Sequence, residues 1–478
     1  MTNLWIPAAA GALLLAATPA TAQHAGHMPG MTMPMPAKPT PAPAPEPEPT
    51  PPTAPPVDHS QMDHGSPAPA ADMADMPGMD HGAHGASGAH TMAAALGTYP
   101  GTREASGTSW QPDSSRHMGV MTMAGDWMLM GHGVLNLVAD TQGGPRGADK
   151  IFVSGMLMGM AQRPVGAGTL QFKAMLSPDP LMGKAGYPLL LASGETADGV
   201  HRLIDRQHPH DLFMELSASL SQPLGGGVSV FVYGGLPGEP AFGPPAFMHR
   251  ESIQDSPEAP ISHHWLDSTH ISFGVLTGGI VAGPAKIEVS RFNAREPDQR
   301  RYNIETGPLD STAVRVSLNP TRQLALQASY GHFVDPEQLE PGVNQERLSA
   351  SAIYTRDLAN GAHWATTLAW GRKSSDGDHD DAFVLESSIA HRGWTLFGRG
   401  ERTENRELRD DDPGHHGPAY RVGKMSLGVL RDIPVGSGPL KLGVGVLGSV
   451  NFVPAGLAPL YGGRHPLGGM AFVRLKVG

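Results

Sequence analysis

The chain of 478 residues contains no cysteine. That excludes disulfides, thiolate metal sites, iron–sulfur clusters and a lipid-modified N-terminal cysteine. Apolar runs of about 18 residues, the length a membrane-crossing helix needs, are also missing. Charge is sparse, with 17% Asp, Glu, Lys and Arg and a formal net charge of −11. A nucleic-acid partner is therefore not expected. The nucleophile elbow, the H-E-x-x-H helix and the phosphate loop are all absent, so no enzyme is expected. Glycine, in contrast, is abundant at 61 residues, which favours turns and closely spaced strands over helices.

At the N-terminus, Ile6–Ala17 is a short apolar run, and Ala20-Thr21-Ala22 offers a small-residue cleavage site before Gln23. This reads as a secretory signal over residues 1–22, although its first residues carry no Lys or Arg. Residues 23–92 form a tail of unusual composition. Between His24 and Met92 lie nine Met and seven His, with almost no other large apolar side chain. Met28-Pro29-Gly30-Met31 recurs as Met76-Pro77-Gly78-Met79, and Met62-Asp63-His64-Gly65 recurs as Met79-Asp80-His81-Gly82. Such a segment cannot bury enough apolar surface to offset its ordering entropy, so it is expected to be disordered. Pro39–Pro56 should form an extended polyproline II spacer. Thioether sulfur is a soft ligand and imidazole a borderline one, a combination that suits copper, with Met favouring Cu(I). The candidate ligands are His59, Met62, His64, Met76, Met79, His81 and His84.

A polar connector is expected over residues 93–126, and from Trp127 to Gly478 the pattern becomes alternation. Leu170, Phe172, Ala174 and Leu176 alternate with Gln171, Lys173 and Met175. Leu216, Ala218 and Leu220 alternate with Ser217 and Ser219, and Val314, Val316 and Leu318 with Arg315 and Ser317. Period two is the strand signal. Sixteen candidate strands begin near Trp127, Lys150, Gly168, Asp211, Gly226, His270, Ala285, Asp310, Leu324, Glu346, His363, Asp381, Trp394, Ala419, Leu440 and Gly468. Their connections alternate between short turns and long loops, notably 178–210, 237–269, 293–309, 332–345 and 403–418. The expectation is an all-β protein, a transmembrane antiparallel barrel of about 16 strands, with both termini and hence the tail in the periplasm.

The export signal, the Met-Asp-His repeats and the barrel pattern together resemble the copper-resistance protein B family of outer-membrane proteins. That family joins a Met/His-rich periplasmic extension to a β-barrel and takes part in copper tolerance. The resemblance covers residues 1–92 and the general architecture, so what it carries over is confined to Met62, Asp63, His64, Met79, Asp80 and His81. It implies copper as Cu(I) or Cu(II), outer-membrane lipid around the barrel and periplasmic copper carriers as partners.

Two further groups stand outside the tail. Residues 201–211 read HRLIDRQHPHD, and the next long loop ends ISHHWLDSTH, with His249 earlier. His208, His210, His263 and His264 flank the hairpin of the fourth and fifth strands at the extracellular rim and are a candidate site for copper or zinc. The bland alternative is a rim network in which His and Asp satisfy Arg202, Arg206 and Arg250. Met128, Met130 and His132 share one strand face, and Met156, Met158 and Met160 share another. The polar neighbours Asn136 and Ser154 argue that both faces point into the lumen, where pairing would set two Met rows side by side, although Met that faces lipid or fills gaps in a plugged lumen is the favoured expectation. The first functional expectation is a copper-binding outer-membrane barrel that sequesters or exports the ion. Alternatives are a diffusion porin with an incidental tail and a barrel enzyme acting on lipid, for which His363 or His391 beside a serine would be candidates.

Overall fold

A computed structural model of the chain describes residues 94–116, 119–409 and 417–478. The expected signal and tail, with His59, Met62, His64, Met76, Met79, His81 and His84, lie outside the described residues. The strands are β1 (Val120–Ala124), β2 (Trp127–Gln142), β3 (Asp149–Val165), β4 (Gly168–Leu176), β5 (Tyr187–Thr196), β6 (Arg202–Gln207), β7 (Phe213–Gly225), β8 (Val228–Gly235), β9 (Val275–Ala282), β10 (Ala285–Phe292), β11 (Ser311–Thr321), β12 (Leu324–Phe333), β13 (Gln345–Asp357), β14 (His363–Ser375), β15 (Asp378–His391), β16 (Trp394–Asn405), β17 (Tyr420–Pro434), β18 (Leu440–Phe452) and β19 (Leu467–Val477).

Sixteen of these close an antiparallel barrel: β2 to β4, then β7 to β19 in chain order. Closure is made by β19 against β2, with Gly468 opposite Gln142 and Val477 opposite Gly133. In lipid each unpaired backbone polar group costs several kcal/mol, so a spanning sheet must have no free edge. β1 completes that rule. It pairs Val120–Ala124 with Gly131–Trp127, the part of β2 that extends beyond β19. The barrel therefore begins with a half-strand at Val120, seven residues before the expected start at Trp127.

The alternation has the expected sense. Leu137, Ile287, Val289, Val316, Leu385 and Val473 are exposed on the outer face, whereas Lys286, Glu288, Arg315, Glu386 and Arg474 on the opposite face are buried. Among the described residues no helix is long and apolar enough to cross a membrane.

A barrel of 16 strands is wide enough for a water-filled channel. Here three segments fill it. Segment 94–116, expected as a polar connector, is folded: Ala95, Leu96 and Trp110 pack with Phe231 and Val281. Its polar atoms meet buried charges on the inner wall. Thr108 Oγ1 donates to Glu288 at 2.6 Å and accepts from Arg315 at 2.9 Å, and its carbonyl accepts from Lys286. Arg103 grips Asp113 through two bonds and donates to the Gly283 carbonyl in the β9–β10 turn. The segment thus lies beside the short turns. The hairpin β5–β6 buries Leu189, Leu190 and Leu191 in one cluster with Phe152, Phe397 and Phe472 of the wall. Residues 236–274 are held by Trp265 and Leu266 against Ala369, Ala382 and Val384. They are also held by Arg250, which pairs with Glu386 at 2.7 Å and Asp267 at 2.6 Å, all three almost fully buried.

Candidate functional site

The inward folding brings the two histidine segments together, and not at the rim: His208, His210, His263 and His270 are all buried. The reason is apolar. Leu189–Leu191 and Trp265 drag their loops against the wall, and the histidines follow. Ring centroids are 5.5 Å apart for His208–His264 and His263–His264, and 5.3 Å for His263–His270. They are 5.1 Å apart for His210–His270 and 6.3 Å for His208–His210. Five imidazoles therefore form a ring of neighbours. Imidazoles sharing one ion at about 2.0 Å per nitrogen place their centroids about 5 Å apart, so these spacings are close to ligand spacing. Among the described residues, the trio of carboxylates or imidazoles whose ligand atoms all lie within 4.8 Å is Glu337, Glu340 and Glu407. No three of the histidines bring their ligand atoms that close, so the ring is a set of adjoining pairs.

Three of the five rings are oriented from one side. His210 Nδ1 meets Asp179 at 2.8 Å, His263 Nδ1 meets Asp267 at 2.8 Å, and His270 Nδ1 meets the Asp267 carbonyl at 2.7 Å. Glu195 Oε1 lies 3.0 Å from His208 Nδ1, near enough for an ion pair but without a hydrogen bond. The Nε2 atoms of His208, His210, His263, His264 and His270 are buried with no hydrogen-bond partner. Anchored Nδ1 with free Nε2 is the arrangement of metal-ligating histidines, whose outer partners fix the tautomer and the ring plane. Burial, followed by the neighbouring positive groups, holds His208 and His264 well below the usual imidazole range, and burial does the same for His270. All three are neutral at pH 7, the form that binds metal. Gly194 makes room for His264. It has φ +110, and a Cβ there would stand 2.7 Å from the His264 ring.

The other expected members separate. His201 is exposed and bonded to Asp198 at 2.7 Å. Asp205 instead accepts from Leu191 N and the Tyr461 hydroxyl. The expected arginine network is realised only in part. Arg250 does share Asp267 with His263, but Arg202 pairs with Glu340 and Arg206 donates to the Ala185 carbonyl. His270 and His249 were visible in the same loop sequence, yet their place in the site depends on the inward fold.

The two Met rows pair as their spacing suggested. Met130 faces Met160, His132 faces Met158 and Val134 faces Met156 across β2 and β3. Met121 of β1 lies opposite Met130, and Met175 of β4 opposite Met158. Met130, Met156, Met160 and Met175 are buried, so a lipid-facing role is excluded for them. They share a face with Asn136, Ser154, Gln162 and Gln171, the inner wall. A cavity of about 70 Å3 bordered by Met156, Met248 and Asn136 reaches His208 and His210.

His363 faces inward and bridges Glu251 and Asp357 at 3.0 and 2.9 Å. His391 lines an inner cavity. A serine–histidine pair does occur, Ser374 with His379 Nδ1 at 2.9 Å, beside the β14–β15 turn. Among the described residues no carboxylate is hydrogen-bonded to His379.

No family model matches the chain, and no curated protein does. Solved outer-membrane barrels are similar in fold. OmpT of Vibrio cholerae has 9% identity and a TM-score of 0.43 over 75% of this chain and 100% of its own. OmpF of Salmonella typhi, solved with daunomycin, has 10% identity and a TM-score of 0.46 over 75% and 100%. OprB of Pseudomonas putida has 10% identity and a TM-score of 0.45 over 74% and 94%.

Proposed function

We propose that this outer-membrane β-barrel binds copper and contributes to copper tolerance by periplasmic sequestration or export. The observation that carries the reading is the ring of five imidazoles, four of them buried and His264 half-buried, with His210, His263 and His270 anchored through Nδ1 and all five open at a buried Nε2. Leaving a buried polar atom unpaired costs about 1–3 kcal/mol, a cost that a bound ion removes. The Met/His tail supplies a second ligand set of the same preference. By the rule that short turns are periplasmic, residue 94 and Gly478 emerge on the periplasmic side, where the tail would meet copper and its carriers. The filled interior supports a selective path over a diffusion pore. The isolated Ser374–His379 pair, lacking an orienting acid, gives little support to a lipid-cleaving enzyme.

The test is Cu(II) titration of the full-length protein followed by electron paramagnetic resonance, beside a His208→Ala/His264→Ala variant. The variant should lose one class of imidazole-bound copper while the tail's signal stays. Identical spectra would mean that the buried histidines are structural and that copper binding rests on the tail alone.

A further inference from the structure

The methionines of the inner wall border a cavity of their own. It measures about 70 Å3 and its lining includes Met130, Met158, Met160, His132 and His249. His132 and His249 come from opposite sides, one on β2 and one on the inserted loop, with ring centroids 6.2 Å apart and edge to face. His249 is 8% exposed, and its Nε2 has no hydrogen-bond partner. A row of Met by itself is ordinary gap filling. A buried imidazole left open beside three thioethers is not explained by packing.

The charges around the cavity narrow the ligand. Two carboxylates border it, Glu104 and Glu251. Glu104 Oε1 is already shared by the Ala95 and Leu96 amides and the Tyr99 hydroxyl. Glu251 is engaged by the Arg116 amide and His363. Lys173 and Arg116 border it as well. The free donors are thus neutral sulfur and nitrogen, which suit a soft monovalent ion and offer little to a hard divalent one. The cavity also has neighbours. Gln254 borders it, the histidine cavity, and a larger cavity of about 590 Å3 among the short turns at Gly361, Arg392 and Gly393.

We infer that Met130, Met158 and Met160 with His132 and His249 form a Cu(I) site, a soft station between the short-turn end of the barrel and the histidine ring. The inference deepens the copper reading and rests on it. It adds the oxidation state and a second position.

Ag(I), a soft monovalent ion of the same charge that does not undergo redox here, is the probe. The full-length protein is labelled with 13C at the methionine methyls and titrated in detergent micelles. Met130→Leu, Met158→Leu and Met160→Leu assign the three signals, since leucine nearly conserves volume. All three should shift together on binding one equivalent, and His249→Gln should abolish that shift and lower bound Ag(I) by one equivalent. If only tail methyls move, the site is refuted while copper binding at the histidine ring stands or falls by its own resonance test. If His249→Gln does not fold, judged by loss of faster migration before boiling, the wild-type titration decides alone: fixed Met130, Met158 and Met160 signals overturn the proposal.

Discussion

Replacing Arg250 with methionine tests whether the interior is dry. Arg250 is 1% exposed and makes three charge-assisted bonds: Nε and Nη2 to Glu386 at 2.7 Å each, and Nη1 to Asp267 at 2.6 Å. A fourth goes to the Pro245 carbonyl at 2.8 Å. Methionine fills similar volume but leaves two buried carboxylates uncompensated. Breaking a buried pair in this way costs about 3–5 kcal/mol. In a water-filled pore the same residues would behave as a surface pair, worth about 0–1 kcal/mol. The two cases are far enough apart to measure by guanidinium unfolding in micelles, followed by tryptophan fluorescence and by the migration shift on heating. Pairing the change with Glu386→Gln should recover part of the loss, because only Asp267, still bonded to His263, then lacks its cation. A loss below about 1 kcal/mol would refute the account of a lumen sealed by residues 236–274, and with it the argument against a diffusion pore.

Introducing Arg for Val316, outward-facing at mid-strand, should cost about 2–4 kcal/mol of barrel stability; equal tolerance with a Val316→Ser control would show the inside–outside assignment to be wrong. Ser317→Arg, which a hollow lumen would accept, should instead be as damaging, because Ser317 is 1% exposed against a filled interior; a neutral effect on unfolding would contradict that packing. Gly194→Val should strain the backbone by about 1–3 kcal/mol and push the His264 ring, weakening Cu(II) binding at the histidine ring without touching the tail; unchanged binding would separate His264 from the site. A peptide of residues 58–92 should bind Cu(I) through Met62, Met76 and Met79 and Cu(II) through His59, His64, His81 and His84, and affinity no greater than that of a control free of Met and His would remove the tail from the account.

The strand plan was legible because each barrel strand has two solvents. Lipid on one side and a polar interior on the other impose period two, so β2, β4, β10, β12, β14, β16 and β18 start where the alternation starts. The largest displacement is at β9, expected near His270 and found at Val275, because His270 still belongs to the inserted loop and bonds back to Asp267. What the loops do was not legible. A long loop that projects outward and one that folds inward share local composition, and only the unbroken Leu189-Leu190-Leu191 run hinted at burial. The connector read as polar because it is, yet those polar atoms serve Lys286, Glu288 and Arg315. The site followed the same division. His208, His210, His263 and His264 could be named from spacing, and the polar neighbours of the Met rows already argued for an inward face, whereas the convergence of His270 and His249 on these sites needed the third dimension.

Anomalous diffraction at the copper edge, on crystals of the full-length protein soaked with Cu(II), decides whether the histidine ring holds the ion. A peak is expected inside the barrel at about 2.0–2.1 Å from imidazole nitrogens of the ring formed by His208, His210, His263, His264 and His270, removed by His208→Ala/His264→Ala. Ordered density for those five rings with no copper peak among them would contradict that expectation.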